Sequence, residues 1–150
     1  MATDNIVDKL HFLAERCNDG AKGYSQAGNQ VADSQLRLWL FAKAEQREGF
    51  AKALNKLLVD LGGATDRDGS FLGGLHREWL DFKANITTDS AEEVLEECIR
   101  GEEKAAADYR HIINEHSLPP EAEALAREQL AAIQASRTEL ERKEEMLGLS

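Results

Sequence analysis

The only two prolines in the chain are adjacent, at Pro119 and Pro120. A proline inside a helix removes a backbone donor and clashes with the preceding turn, at a cost of about 3 kcal/mol. Elsewhere in the 150 residues nothing imposes that break. Apolar residues there recur at alternating three- and four-residue steps, which places them along one side of a helix. The pattern predicts four long helices, and packing four long helices leaves few options.

The first helix is predicted from about Asn5 to about Asn29, capped by Thr3 or Asp4. Its apolar face is Ile6, Leu10, Leu13, Cys17, Gly20, Tyr24 and Ala27, with Glu15 and Asp19 turned to solvent. Gly20 and Gly23 each cost a helix about 1 kcal/mol relative to alanine. Their presence implies that another backbone or a bulky ring comes close. The second helix runs from a cap at Asp33 or Ser34 to Gly62-Gly63. Leu36, Leu40, Ala44, Ala51, Leu54, Leu58 and Leu61 form its stripe, widened by Trp39, Phe50 and Leu57. Arg47 falls inside this stripe, Glu48 at its margin and Glu45 nearly opposite. The short connection through Val31, Ala32 and Asp33 makes the two helices antiparallel neighbours.

A polar, glycine-rich loop then leads to Phe71, Leu75, Trp79 and Phe82, again at helical spacing and ending near Ala84. This shorter piece is expected to cross the outside of the bundle against Trp39, Phe50 and Leu57. His76 on its flank reads as a structural hydrogen-bonder. The third long helix starts at Asp89 or Ser90, where Ser90 and Glu93 match a capping box. It stops before Ser117-Leu118-Pro119-Pro120, and its stripe is Val94, Leu95, Cys98, Ala105, Tyr109, Ile112 and Ile113. At about 100° per residue Glu102 lies in the middle of that stripe and Glu103 well outside it. The fourth helix extends to about Gly148 on Ala126, Leu130, Ile133, Leu140 and Leu147, with Arg137 inside the stripe and Gln129 at its edge. Glu141, Arg142, Lys143 and Glu145 are an ordinary solvated face. The expected fold is all-α, a single domain over residues 1–150. Its plan is the ferritin-like four-helix bundle with one long connection that carries the crossover helix.

Composition narrows the function. Apolar residues make up 42% and charged residues 31%, enough to pack a core. A net charge of −10 argues against nucleic acid and against anionic membrane surfaces as partners. No apolar run approaches the roughly 20 residues that span a bilayer. The first residues, Met-Ala-Thr-Asp-Asn-Ile-Val-Asp, lack the basic segment and apolar core of a signal peptide, so cytoplasm is the expected location. Cys17 and Cys98 lie on core faces of different helices and read as small buried hydrophobes, and a reducing compartment works against a disulfide. No phosphate loop, nucleophile motif or Cys-x-x-Cys pair is present.

Several stretches carry a resemblance to a known family. They are Cys17-Asn18-Asp19-Gly20-Ala21-Lys22-Gly23-Tyr24, Ala44-Glu45-Gln46-Arg47 and Gly73-Gly74-Leu75-His76-Arg77-Glu78-Trp79. Glu96-Glu97-Cys98-Ile99-Arg100-Gly101-Glu102-Glu103 and Leu118-Pro119-Pro120-Glu121 complete the set. Over essentially its whole length the chain resembles a bacterial ferritin-like four-helix-bundle family catalogued as a domain of unknown function. The resemblance implies fold and ancestry without an established reaction. Members commonly carry a histidine in the last helix near the position of Ser136, and its absence here weighs against a metal.

Di-iron and di-manganese bundles need a glutamate from each of two helices and a Glu-x-x-His from each of the other two, all inward. Glu45-Gln46-Arg47-Glu48 has the carboxylate spacing without a histidine, and Gln134-Ala135-Ser136-Arg137 has neither ligand. His11, His76, His111 and His116 all fall outside the expected positions. Glu102 is thus an isolated inward acid, costly unless paired, and Arg47 or Arg137 is its expected partner, with Tyr24 or Tyr109 hydroxyls assisting. The preferred expectation is a bundle with no catalytic, cofactor or metal residues, acting by association with itself or a protein partner in a setting such as stress physiology. One alternative is a noncanonical iron or manganese site built from Glu102, Glu45, Glu48 and Glu15. Another is a small-molecule pocket near Gly20, Gly23, Tyr24 and Trp79.

Overall fold

A computed structural model of the chain describes residues 2–63 and 90–149, with side chains from 5 to 148. Within them lie four helices and no strand: α1 (Ala2–Gln30), α2 (Ser34–Asp60), α3 (Ala91–Asn114) and α4 (Pro120–Leu149). The boundaries follow from local chemistry. Asp33 caps α2, its carboxylate accepting the Gln35 N–H at 2.9 Å, and Ser90 caps α3 by accepting from the Glu93 N–H at 3.4 Å. At the far end of α2, Gly62 takes φ +83°. The Gly62 and Gly63 N–H groups return to the Val59 and Leu58 carbonyls, a Schellman close that satisfies the last turn. Pro120 opens α4, at the position where a missing N–H costs nothing. α1 already begins at Ala2, so the expected caps Thr3 and Asp4 lie inside it. The crossover helix expected over Phe71 to Ala84, with His76 and Trp79, lies outside the described residues.

Cross-helix contacts give the topology. Gly28 packs on Phe41 and Val7 on Gly63, so α1 and α2 are antiparallel. Lys9 reaches Ser117 and Glu115, and Arg16 bonds Asp108 at 2.7 Å, so α1 is also antiparallel to α3. The Trp39 indole N–H donates to Glu139 at 2.7 Å and the Gln129 amide to the Phe50 carbonyl at 3.2 Å, so α2 runs beside α4 in opposite sense. α2 and α3 are therefore parallel and face each other across the bundle diagonal, which requires the long connection between them. Among the described residues no helix is long and apolar enough to cross a membrane.

The apolar core comes in two parts. One is built on Leu10, Leu13, Leu54, Leu58, Tyr109 and Ile133, the other on Tyr24, Leu40, Val94, Leu95 and Leu140. Fully buried Arg47 and Glu102 lie between them. On α4 the buried line is Ala122, Ala126, Gln129, Ile133, Ser136 and Leu140, whereas Leu147 is exposed and Leu130 only partly covered. The expectation that Gly20 admits a backbone or ring is corrected. A Cβ there would touch only Arg47 Cγ, at 3.7 Å, while the glycine against a ring is Gly28, whose Cβ would fall 2.5 Å from Phe41.

Candidate functional site

The site begins with a charge that the helical period forces inward. On α2, Arg47 continues the line Leu36, Leu40, Ala44, Ala51 and Leu54, so its guanidinium enters the bundle axis and is 2% exposed. On α3, Glu102 continues Leu95, Cys98, Ala105 and Tyr109 and meets it from the opposite corner. The pairing is bidentate, Nη1 to Oε1 at 2.5 Å and Nη2 to Oε2 at 2.7 Å. This fork-to-fork geometry is the strongest form of a charged hydrogen bond. Arg47 Nη2 also donates to Ser136 Oγ at 3.1 Å, and Ser136 donates to the Ala132 carbonyl at 3.0 Å. Arg47 Nε donates to Gln46 at 3.2 Å. The guanidinium lies 5.5 Å from the Tyr24 ring and 5.6 Å from the Phe50 ring, within cation–π range. Burial alone pulls the Arg47 pKa down, but the charge and hydrogen bonds of Glu102 pull it further up, so the guanidinium stays cationic. Each helix thus contributes one residue to this layer: Tyr24, Arg47, Glu102 and Ser136.

A second polar chain crosses the bundle one layer away. The Tyr109 hydroxyl donates to Gln129 Oε1 at 2.6 Å, and the Gln129 amide nitrogen donates to the Phe50 carbonyl. Because a carbonyl only accepts, the Gln129 amide has one workable orientation. Tyr109 spends its proton on Gln129, so the Cys17 thiol, 3.0 Å away, is the donor to Tyr109. Burial pushes the Cys17 thiol up to about 11. Burial likewise raises Tyr109, with Cys17 adding to it, and raises Cys98, with the Glu102 charge adding to it. Both cysteines are free, and both are held as neutral thiols.

Arg137 is not in the layer, contrary to the expectation that it partners Glu102. Its side chain is 43% exposed and pairs with Glu103 and Glu141, at 3.0 Å each. The inward position on α4 is Ser136, one residue or about 100° away. A small hydroxyl there leaves room for the Arg47 fork, and the long Arg137 side chain reaches water instead. Tyr109 is buried near the pair, but its hydroxyl is committed to Gln129 and Cys17, so the expectation that it assists Glu102 is also corrected. Of the carboxylates weighed as metal ligands, Glu45 and Glu48 are exposed. Glu15 is 22% exposed, 4.0 Å from His11. Among the described residues no three His, Cys, Asp or Glu side chains converge.

Four further buried polar residues are His11, Glu97, Gln129 and Ser136; the sequence reading places Gln129 at the edge of its stripe and the other three nowhere in the core. Gln129 and Ser136 carried a readable signal, since they alternate with Ala126, Ile133 and Leu140 at three- and four-residue steps. Glu97 pairs with Arg100 one helical turn on. His11 adjoins Leu10 on the sequence, and nothing in the apolar pattern singles it out.

Beside the ion pair a cavity of about 130 Å³ opens between α1 and α3, lined by Gly20, Gly23, Tyr24, Cys98, Gly101 and Glu102 among others. The Tyr24 hydroxyl is buried close to the Glu102 carboxylate, but without the distance and angle of a hydrogen bond. Burial and then the nearby Glu102 charge raise its pKa, so it remains protonated. Of the expected pocket residues, Gly20, Gly23 and Tyr24 line this cavity, while Trp79 lies outside the described residues.

The chain matches the family described as Domain of unknown function (DUF2383) over residues 5–115. The match takes in nearly all of α1, all of α2 and α3, and with them Tyr24, Arg47 and Glu102; Ser136 and the rest of α4 lie beyond it. No curated protein and no solved structure matches the chain. With about three quarters of its length under the family's match, the chain belongs to the DUF2383 family.

Proposed function

We propose that this chain is a ferritin-like bundle in which an arginine–glutamate pair occupies the place of a metal centre, and that it works by binding rather than by catalysis. The observation that carries this reading is the Arg47–Glu102 fork at the meeting point of all four helices. In ferritin-like carboxylate proteins that point receives inward glutamates and Glu-x-x-His motifs. Here it receives a tyrosine, an arginine, a serine and one carboxylate, and that carboxylate has both oxygens committed to the guanidinium. A fixed cation a few ångströms from Glu102 repels a divalent ion, and the other donors in this layer, among the described residues, are not the hard carboxylates and imidazoles that iron or manganese selects. The donor set does not fit either metal. The setting we propose is the bacterial cytoplasm.

The test is metal analysis of protein purified without chelator. The expected result is no stoichiometric iron, manganese or zinc. One or more such ions per chain, lost together with Glu102→Gln, would overturn the reading. Among modes of binding, the cavity beside Tyr24 favours a small molecule over association alone.

A further inference from the structure

Gly20 and Gly23 of α1 and Gly101 of α3 stand in helix interiors, and all three line the cavity next to the ion pair. Each costs its helix about 1 kcal/mol relative to alanine. At Gly20 the space for a side chain exists, because a Cβ would make only an ordinary 3.7 Å contact with Arg47 Cγ. The missing side chain there leaves room open instead of admitting a neighbouring helix.

The second observation is Tyr24, 4% exposed, which lines the same cavity with a hydroxyl that lies near Glu102 yet has no partner in hydrogen-bonding geometry. Leaving a buried hydroxyl unsatisfied costs about 1–3 kcal/mol. The other polar groups around the cavity are already engaged: Arg47 with Glu102, Arg16 with Asp108, Arg100 with Glu97 and Cys17 with Tyr109. Asp19 and Lys104 also line the cavity, and each has a partner of its own, so no free charge is left to hold an ion; a chain of net charge −10 does not attract anions. The surface turned to the cavity is mainly apolar, with the Tyr24 hydroxyl left to make one hydrogen bond. An apolar cavity of about 150 Å³ holds benzene, so about 130 Å³ suits a single ring or a short branched alcohol.

We infer that the α1–α3 cavity binds a small neutral molecule the size of one aromatic ring, whose hydroxyl or carbonyl pairs with the Tyr24 hydroxyl. This rests on the chain being a binding protein and adds the class of ligand. Phenol and benzene, titrated into the isotope-labelled full chain and followed by amide shifts, test it. Phenol is expected to give saturable shifts along the facing sides of α1 and α3. Tyr24→Phe should weaken phenol by about tenfold, the worth of one hydrogen bond, and leave benzene within about twofold. Gly20→Ala should weaken both ligands several-fold. Both variants should melt at or above the wild-type temperature, since one loses an unsatisfied hydroxyl and the other a helix-weakening glycine. No saturable phenol shift, or affinities indifferent to both substitutions, would overturn the inference while leaving the ion-pair reading intact. Stoichiometric metal would overturn that reading instead.

Discussion

Arg47 is the largest fully buried side chain among the described residues, and it is charged. Removing a guanidinium and a carboxylate from water costs several kcal/mol per ion, and their attraction offsets this only with good geometry and further hydrogen bonds. Here both conditions hold: the fork is bidentate, Ser136 and Gln46 accept further N–H groups, and the Tyr24 and Phe50 rings flank the cation. Truncating one partner leaves the other charge buried alone. Arg47→Ala should therefore lose about 3–5 kcal/mol, which in a domain of this size lowers the melting temperature by roughly 6–20 °C. Replacing both partners, as Arg47→Met with Glu102→Leu, should recover most of that loss, because an apolar layer of similar volume carries no desolvation cost. Thermal unfolding of the two variants measures both effects. An Arg47→Ala protein that melts with the wild type would mean that the pair contributes nothing.

At the scale of the element, α2 shows how position decides what a glycine does. Gly49 sits in its interior, and a Cβ added there would meet nothing within 4 Å, so its backbone freedom serves no contact. Gly49→Ala should gain about 1 kcal/mol from helix propensity alone. Gly28 of α1 is the contrasting case: its Cβ would fall 2.5 Å from the Phe41 ring, and the two helices approach there because no side chain intervenes. Gly28→Ala should show no gain and lose stability as the ring is displaced. Urea midpoints of the pair give the comparison, and equal gains at both sites would contradict the close approach of α1 and α2. The caps belong to the same scale. Asp33 and Ser90 start helices where their short polar side chains take an N–H that has no partner of its own.

At the scale of the whole molecule, the buried thiols and phenols among the described residues, Cys17, Cys98, Tyr24 and Tyr109, cluster around the same central layers. Each has its pKa raised, so each holds its proton more firmly in the folded chain than in the unfolded one. Stability from such groups is complete below the unfolded pKa and declines as pH rises through the folded value. For Cys17 that window runs from 9.0 to about 11. Around this thiol stand Tyr109, Arg47, Glu102 and Arg16. Denaturation midpoints should fall steadily across this window, and Cys17→Ala should flatten the decline in part, the tyrosines and Cys98 still contributing. A midpoint that holds constant over that range would contradict the burial of these groups.

Four helices, their order and most of their ends were legible in the one-dimensional pattern, because a helix presents every third or fourth residue to the same side whatever it packs against. Pro119-Pro120, the Asp33 cap and Gly62-Gly63 marked their limits for equally local reasons. The inward direction of Arg47 and Glu102 followed from the same period. What it did not determine is which cation meets Glu102, since Arg47 and Arg137 both fall near the inner side of their helices. One step of about 100° on α4 puts Ser136 inward and Arg137 among surface carboxylates. A step that small is set by how helices roll against their neighbours, and only the packed bundle specifies it. The orphan hydroxyl of Tyr24 and the cavity beside it are equally invisible in sequence, because both consist of what three other helices leave unfilled.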